Sequence, residues 1–340
     1  MKSIIYSKTG GTEVLSLAER PTPECGVGEV RVRMQVSGVN PTDWKSRRGS
    51  ASGEPTAFSI MVPNQDGSGI IDAVGIGVQG LRIGQRVWIW EAAYHRAEGS
   101  AQEFVVLPER QAVPLPDHAS FDLGASLGIP ALTAHRCLTV AQGRSGRLQP
   151  RALDGVNVLV IGGAGAVGNA AIQLAKWSGA RVVTTVSSSL KAELARSAGA
   201  DCVINYQTED VPAAIRRFDE HGIDLLVEVA PAHNCDTYPA ILAPDATVSI
   251  YAFGGGEYFN LPIQSHFDTN TRFQFVLVYT VNREAKDAAV ADISAAVADR
   301  AFNVGKEHGL PLHRFPLEQT ADAHVAVESG AVGKVLIDVL

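Results

Sequence analysis

A glycine-rich turn near the middle of this 340-residue chain constrains its fold more than any other feature. An apolar run, three glycines in the spacing G-x-G-x-x-G and a helix-like run follow one another as Val158–Ile161, then Gly163, Gly165 and Gly168, then Asn169–Lys176. A helix N-terminus presents backbone amides that bind phosphate, and glycines let the backbone approach a pyrophosphate closely. The order strand, turn and helix therefore predicts a dinucleotide site, with a purely structural turn as the alternative.

The overall charge and the cysteines limit the partners and the compartment. With 29 basic and 36 acidic residues the net charge is −7, which argues against nucleic acid or an anionic membrane as the main partner. No run approaches the roughly 18 apolar residues of a membrane span, and the first residues lack the pattern of a signal peptide. The four cysteines are far apart in the sequence, which is typical of free thiols in a reducing compartment. We therefore expect a cytoplasmic protein.

Short strands separated by glycine turns characterise the chain up to about residue 125. Val30–Met34, Ile70–Val74 and Arg86–Trp90 have the composition of strands, and glycines punctuate the residues between the last two. Many short strands with such turn signals predict a barrel-like, β-rich unit.

From about residue 128 the pattern changes to strands that alternate with helices. Helical runs at Leu190–Ala198 and Val211–Glu220 lie between predicted strands, and a longer helical run, roughly Arg283–Gly305, precedes a last strand at Lys334–Val339. Such alternation predicts a doubly wound parallel sheet. Its predicted strands are Val156–Ile161, Arg181–Val186, Cys202–Asn205, Leu225–Val229, Thr247–Tyr251 and Phe273–Tyr279.

The end of the second predicted strand of this sheet indicates which cofactor binds. An Asp or Glu there would select NAD by accepting a hydrogen bond from the ribose 2′-hydroxyl. Here Arg181–Val186 is followed by Ser187, Ser188 and Ser189, Lys191 lies nearby, and no carboxylate occurs before Glu193. Hydroxyl and ammonium groups suit a 2′-phosphate, so the sequence favours NADPH. An N-cap at Ser189 followed by a solvated lysine is a second reading of the same residues, compatible with the first.

Taken in order, several short motifs resemble the zinc-independent quinone oxidoreductase branch of the medium-chain dehydrogenase/reductase superfamily. The resemblance runs almost end to end. Its motifs are Gly38–Asp43, Asp66–Gly69 with Gly75, Gly84–Val87, Leu132–Ala134, Gly163–Gly168, Asp201–Tyr206, Glu328–Gly330 and Gly333–Val335.

The resemblance implies an α/β protein of two domains. A GroES-like, β-rich catalytic domain would comprise residues 1–127 and 281–340, and a Rossmann domain that binds NADPH would comprise residues 128–280. It also implies a homodimer formed through an edge strand such as Phe273–Tyr279.

The same resemblance assigns roles to individual positions. The turn would hold the pyrophosphate, a second group would surround the 2′-phosphate, a third would line the nicotinamide end, and Thr133 would contact the cofactor. The residues for the pyrophosphate are Gly163, Ala164, Gly165, Ala166, Val167 and Gly168. Those for the 2′-phosphate are Ser187, Ser188, Lys191 and Tyr206, and those for the nicotinamide end are Ala230, Tyr251, Phe253 and Gly254.

The motifs that carry zinc in related dehydrogenases have lost their ligands in this chain. Zinc-dependent relatives place a cysteine just before a Thr-Asp pair, where this chain has Pro41, Thr42 and Asp43. They also carry Gly-His-Glu where it has Asn64, Gln65 and Asp66. Zinc needs three or four such ligands within tetrahedral reach, so we expect no metal.

Without a metal, the chemistry favours an acceptor that takes a hydride with little assistance. Quinones and activated enones do so because charge delocalises onto oxygen, so the protein needs mainly alignment and one or two donors. The sequence therefore predicts an NADPH:quinone oxidoreductase. The alternatives are an enone or enoyl-thioester reductase and, in another class, a non-catalytic NADPH-binding or RNA-associated protein.

Asn40, Asp43 and Lys45 are the candidate catalytic residues, since the resemblance puts the first two near the nicotinamide and the substrate. Asn40 would donate a hydrogen bond to the developing oxyanion, or it is a turn residue before Pro41. Asp43 would orient a water or a donor, or it caps a short helix. Lys45 stands where many relatives carry a tyrosine; it would act as an acid if buried, and is otherwise solvated.

Overall fold

A β-rich unit is formed by Met1–Pro130 and Leu312–Leu340, and buried side chains alternate with more exposed ones over residues 29–36 of its longest strand. The computed structural model describes residues 1–50, 52–141 and 145–340. Up to residue 139 the elements are β1 (Lys2–Ile5), β2 (Ser16–Glu19), β3 (Glu29–Val39), α1 (Pro41–Arg48), β4 (Asp66–Val74), β5 (Arg86–Ile89), β6 (Phe104–Pro108), β7 (Ala112–Pro114) and α2 (Phe121–Thr139).

A second unit, Ala131–Pro311, follows within the chain. Its elements are β8 (Asn157–Ile161), α3 (Ala166–Trp177), β9 (Arg181–Val186), α4 (Ser189–Ser197), β10 (Cys202–Asn205), α5 (Val211–Phe218), β11 (Ile223–Glu228), α6 (Pro231–Asn234), α7 (Tyr238–Ile241), β12 (Leu242–Ile250), α8 (Ile263–Asp268), β13 (Arg272–Phe275) and α9 (Arg283–Ala298). The chain then completes the first unit with β14 (Leu312–Pro316), α10 (Thr320–Glu328) and β15 (Lys334–Asp338). Short 3₁₀ turns occupy Thr12–Val14, Glu109–Gln111, Cys235–Thr237, Val278–Thr280, Lys306–His308 and Leu317–Gln319.

The second unit contains a parallel sheet in the order β10-β9-β8-β11-β12-β13. The order runs outward in both directions from β8, the strand before the glycine turn, which is the doubly wound arrangement predicted from the sequence. Helices cover such sheets on both faces, so their strands are apolar throughout. Leu159, Val183, Leu226 and Val248 are accordingly fully buried in its core.

The first unit is built around β3, the central strand of a sheet ordered β14-β15-β3-β4-β5-β7, with β6 also paired to β3. The sequence predicted only Val30–Met34 as a strand here, but β3 continues to Val39 because β15 and β4 both pair with its second half. A Cβ at Gly38 would lie 2.1 Å from the Ala125 carbonyl oxygen, so glycine allows α2 to approach β3 closely.

Other predicted elements end earlier than expected. The predicted strand Phe273–Tyr279 was wrong in its second half, since β13 stops at Phe275 and a 3₁₀ turn forms at Val278–Thr280. The predicted helix to Gly305 ends at Ala298, because Arg300 takes a positive φ of 59°.

The two units also differ from the predicted domain ranges at residues 281–311, which group with the second unit. Asp292 of α9 accepts hydrogen bonds from the Leu148 amide (2.7 Å) and from Arg147 Nε (2.8 Å), and it also contacts the His135 ring (2.8 Å). Asn169 of α3 donates to the His308 carbonyl (2.9 Å). These bonds tie the segment to the parallel sheet's helices. Among the described residues, no helix is both long and apolar enough to cross a membrane.

Candidate functional site

The turn after β8 has glycine where a side chain would collide. A Cβ at Gly168 would lie 2.3 Å from the Gly162 carbonyl oxygen, and one at Gly163 would lie 2.3 Å from the Thr184 hydroxyl. At Gly165 the nearest atom would be 3.4 Å away, and this residue is exposed. Two of the glycines thus allow strand and helix to pack, while Gly165 leaves the entrance to the helix open.

Helix α3 begins at Ala166 with Gly165 as its N-cap. The first-turn amides of a helix have no acceptor within that helix and favour an anion. Ala164 is buried, whereas Ala166 and Val167 are partly exposed at this end. We call Gly162–Gly168 the glycine cradle; its shape fits the pyrophosphate of a dinucleotide.

The residues predicted around the 2′-phosphate come together at the ends of β9 and β10. Lys191 Nζ donates to Ser187 Oγ (3.0 Å), and the Ser188 hydroxyl accepts from the Lys191 amide (3.3 Å) as the N-cap of α4. The Tyr206 amide donates to the Val186 carbonyl (3.1 Å), and its ring is half exposed. The cap is therefore Ser188, not Ser189 as the second reading placed it, and the cation sits beside a hydroxyl.

The residues predicted at the nicotinamide end lie after β11 and β12. The Gly254 amide donates to the Val229 carbonyl (2.9 Å), and a cavity of about 450 Å³ is lined by Pro231, Tyr251, Phe253 and their neighbours. Ala230 precedes α6 directly. Thr133 is buried on α2, one turn before Cys137, whose carbonyl accepts from Ser249 of β12 (2.9 Å).

Glu228, the last residue of β11, is a candidate positioning residue that the sequence analysis missed. Its carboxylate accepts from the Ala230 amide (2.6 Å), the Asn234 side-chain amide (3.1 Å) and the Tyr238 hydroxyl (2.9 Å). Complete burial raises the pKa of this carboxyl above its usual range, and these three donors oppose the rise. An acid within the otherwise apolar predicted strand Leu225–Val229 was the signal that could have identified it.

In the first unit, Asn40 and Asp43 lie at the start of α1. Asn40 is the N-cap, and its backbone amide donates to Asp43 Oδ2 (2.6 Å), as in one half of a capping box. Both residues are buried, whereas Lys45 is exposed, with its ammonium 5.7 Å from the centre of the Trp44 ring. The burial that would make Lys45 an acid is therefore not present in this chain.

The Asn40 side chain joins two residues that the sequence analysis did not select as site residues. Its Nδ2 donates to Asp66 Oδ2 (2.6 Å), and its Oδ1 accepts from Lys334 Nζ (2.7 Å). Lys334 Nζ is also 3.5 Å from Asp66 Oδ2, and the Ile129 amide donates to Asp66 Oδ1 (2.9 Å). We call Asn40, Asp43, Asp66 and Lys334 the polar cluster. A lysine opening the apolar run Val335–Ile337 was the available signal.

The polar cluster borders a cavity of about 310 Å³ in the first unit. Asp43 is the member that lines it, together with aromatic and polar neighbours. Burial first, and the nearby Asp66 second, raise the pKa of Asp43 to about 8. The other lining residues are Tyr6, Ser46, Ala57, Phe58, Met61, Pro63, Asn64, Gln65, Ala93, Tyr94, His95 and Arg96.

No metal centre stands out in the described ranges. Among residues 1–50, 52–141 and 145–340, no group of three or more His, Cys, Asp or Glu side chains is placed to hold a metal ion. At the two motifs that carry zinc ligands in related dehydrogenases, the structure has Asp43 and Gln65 beside the 310 Å³ cavity.

Comparison with known proteins gives two family models, one for each part of the chain. A model described as "Alcohol dehydrogenase GroES-like domain" matches residues 26–117, and one described as "Zinc-binding dehydrogenase" matches residues 166–295. The GroES-like and doubly wound fold predicted from the sequence is thereby confirmed.

Two curated relatives indicate different acceptors. A rat quinone oxidoreductase is 28% identical over 99% of this chain and 97% of that protein. A tomato 2-methylene-furan-3-one reductase is 33% identical over 64% of this chain and 55% of that protein.

Two solved structures likewise differ in the cofactor that they name. An NAD-dependent alcohol dehydrogenase superposes with a TM-score of 0.84 at 29% identity, covering all of both chains. A mycobacterial protein complexed with NADPH superposes with a TM-score of 0.80 at 28% identity, covering 99% of both chains.

Proposed function

Because this chain belongs to the medium-chain dehydrogenase/reductase superfamily, in its quinone oxidoreductase branch, we propose that it is an NADPH-dependent enzyme that transfers a hydride to a quinone. The observation that carries this proposal is the end-to-end similarity to quinone oxidoreductases, joined to a first-unit cavity that presents aromatic side chains and a single carboxyl group. A quinone ring is planar and apolar with polar oxygens, and it suits such a lining.

NADPH is favoured over NADH by the residues at the end of β9. Lys191 and Ser187 offer a cation and a hydroxyl 3.0 Å apart, and no carboxylate lies between Ser187 and Lys191 to repel a phosphate. Similarity to an NAD-dependent alcohol dehydrogenase leaves NADH as the competing cofactor. When bound, NADPH would supply the hydride; the glycine cradle would hold its pyrophosphate, with Tyr206 beside the 2′-phosphate.

The reaction is proposed to need no metal. A quinone accepts a hydride without a Lewis acid because the negative charge spreads over the ring and its oxygens. Asp43 and Gln65 occupy the two motifs that carry zinc ligands in related dehydrogenases, and neither belongs to a ligand cluster in the described ranges. We expect activity to survive prolonged dialysis against a strong chelator, with zinc content measured in parallel. If activity is lost on dialysis and zinc restores it, the proposal is contradicted.

The test of the whole proposal is NADPH oxidation by purified protein with 1,4-quinones, enones and enoyl thioesters, followed by absorbance. We expect turnover with at least one quinone and a much lower kcat/KM with NADH. If NADPH binds tightly but none of these acceptors supports its oxidation, the chain is a non-catalytic NADPH-binding protein.

An activated enone is the second candidate acceptor, and the tomato relative is the observation that favours it. Enone reduction adds the hydride to carbon and leaves an enolate that a positioned acid protonates. Turnover with enones that exceeds turnover with every quinone, together with a single product stereoisomer, would establish this alternative.

The assembly and compartment are also proposals. Edge strand β13 ends at Phe275, which is two-thirds exposed, and Phe267 and Ile263 of the preceding helix are more exposed still. An apolar sheet edge suits pairing with a second copy of the chain, and light scattering would measure the resulting dimer. The four cysteines are free, which suits a reducing compartment such as the cytoplasm.

A further inference from the structure

The polar cluster has one cation for two carboxyl groups. Lys334, Asp43 and Asp66 are 1%, 3% and 0% exposed. An ionised carboxylate buried without a partner costs several kcal/mol, whereas the same group costs far less when it holds a proton. One lysine balances one carboxylate, so the other carboxyl group is neutral near pH 7.

The hydrogen bonds indicate which of the two carboxyl groups is ionised and which holds the proton. Asp66 receives the Asn40 side-chain amide, the Ile129 backbone amide and the Lys334 ammonium, at 2.6, 2.9 and 3.5 Å. Asp43 receives the Asn40 backbone amide on Oδ2 and lies near the Gln65 backbone amide, and among the described residues its Oδ1 accepts no hydrogen bond of good geometry. Donors stabilise the ionised form, so Asp66 carries the charge.

We propose that Asp43 holds the proton which the reduced acceptor takes up, and that Lys334 is the positioning residue that keeps the neighbouring Asp66 ionised and fixes the Asn40 side chain. This inference rests on the proposed function for its acceptor. It assigns a role to Lys334, which neither lines the cavity nor touches Asp43 directly.

The surroundings of Asp43 agree with a neutral acid. Its pKa of about 8 results from burial and from Asp66, with opposing contributions from Lys334 and the Asn40 and Gln65 backbone amides. Tyr6 lines the same cavity, and burial raises the pKa of Tyr6 to about 12, so this phenol stays protonated. The other charged or titratable groups near it on the packed elements are Lys45, Arg47, His95 and Arg96.

The proton that completes the reduction comes from the Asp43 carboxyl group. The hydride from NADPH brings two electrons and one hydrogen to the quinone, which becomes a hydroquinone monoanion. The O–H bond of Asp43 then breaks, its electron pair stays on the carboxylate, and the proton forms the second O–H bond of the hydroquinone. Asp43 regains a proton from water, so the enzyme returns to its starting state.

The first experiment measures protonation without relying on turnover. Infrared titration of the full-length protein on either side of pH 8 should show a protonated-carboxyl band that disappears as pH rises. Asp43→Asn should remove this band, while Asp117→Asn, at an exposed position of the same unit, should leave it unchanged. A band that survives Asp43→Asn, or no band at all in the unaltered protein, overturns the assignment.

The second experiment measures the role of Lys334. In Lys334→Met the cation is lost, so Asp66 must take up a proton and a second carboxyl band should appear. The double variant Lys334→Met with Asp66→Asn should return to a single band, that of Asp43, and should be recovered folded even if the single variant is not. An unchanged infrared titration in both variants overturns the role of Lys334.

The third experiment tests the donor role with the best quinone substrate. Turnover should fall as pH rises past about 8 in the unaltered enzyme. Asp43→Asn should lose roughly 10²-fold in kcat, the low end for an acid because water can replace it, and should lose the alkaline fall. NADPH affinity should stay within about twofold. If turnover of Asp43→Asn still falls at alkaline pH, the donor role is overturned. If no quinone is turned over at all, the proposed function is overturned instead. In that case the infrared result still decides where the proton lies.

Discussion

The glycine cradle of the second unit and the polar cluster of the first are built in opposite ways. The cradle is one continuous stretch, Gly162–Gly168, and its shape depends on the absence of side chains. The polar cluster joins Asn40, Asp66 and Lys334 from three separate strands or their ends, and it is held together mainly by charged and polar side chains. A backbone site is vulnerable to added volume, whereas a buried ionic site is vulnerable to changes of charge and pH.

The largest expected effect comes from removing one charge of the polar cluster. Asp66→Ala leaves the Lys334 ammonium buried without its carboxylate, and we expect a loss of about 3–5 kcal/mol in the free energy of unfolding. Asp72→Ala on the same strand breaks a partly exposed ion pair with Arg31 and should cost about 0–1 kcal/mol. Urea unfolding measures both; equal losses would mean that burial of the pair has no energetic consequence.

A smaller loss is expected from adding volume to the cradle. Gly168→Ala places a Cβ 2.3 Å from the Gly162 carbonyl oxygen, which should cost about 1–3 kcal/mol of stability and weaken NADPH binding. Gly165→Ala, with 3.4 Å of clearance, is the matched control and should unfold close to the unaltered protein. Calorimetry measures the stability, and fluorescence titration the affinity. If Gly165→Ala proves the more destabilising change, the cradle is not limited by this contact.

The pH dependence of stability should distinguish two buried titratable groups of the first unit, His324 and Asp43. Burial, and then the charge of Arg47, lower the pKa of His324 from 6.5 to about 3, so between these values the unfolded chain binds a proton that the folded chain does not. The free energy of unfolding therefore falls on acidification through this window. Asp43 acts in the opposite sense: its pKa is raised from 3.8 to about 8, so it removes stability as pH rises through that range.

These two slopes oppose each other between about pH 4 and 6.5, and removing one should reveal the other. Over one to two pH units in this window we expect His324→Gln to gain about 1–3 kcal/mol of stability on acidification, relative to the unaltered protein, and Asp43→Asn to lose a similar amount. Urea unfolding at a series of pH values measures the slopes. Parallel curves for all three proteins would refute the opposing contributions.

The smallest effect should come from the 2′-phosphate group. Lys191→Ala removes one partly buried cation, and we expect NADPH affinity to fall about 5–10-fold, close to 1 kcal/mol, with NADH affinity nearly unchanged. Lys306→Met, at an exposed position of the second unit, is the charge-matched control. Isothermal titration with both cofactors measures the change. An equal loss for NADPH and NADH would place Lys191 away from the 2′-phosphate.

The sequence predicts the second unit better than the first because its signals are local. Arg181–Val186 and Cys202–Asn205 agree with β9 and β10 at both ends. Ser187 and Lys191, four residues apart on one strand–helix junction, are in contact as their spacing suggested.

The polar cluster escaped prediction because its chemistry arises from residues far apart in the sequence. Lys334 and Asp66 are separated by 268 positions, and neither has a neighbour in the sequence that reveals its partner. Asn40 was identified, but its amide is held by Asp66 and Lys334, so its proposed hydrogen bond to substrate must use the remaining Nδ2 hydrogen. The last half of β3 was missed for the same reason, since its pairing strand β15 comes much later.

Strand β15 follows the whole second unit in the sequence, so it is translated long after its partner β3. Lys334 meets Asn40 across 294 positions, and the whole second unit is synthesised between them. At translation rates of ~5–20 residues per second, β3 emerges roughly 15–60 seconds before the strand that completes its pairing. The cradle can assemble as soon as its own helix and strands leave the exit tunnel. During that interval the edge of β3 that β15 later covers is unpaired. This is the stage at which a chaperone would protect the nascent chain most.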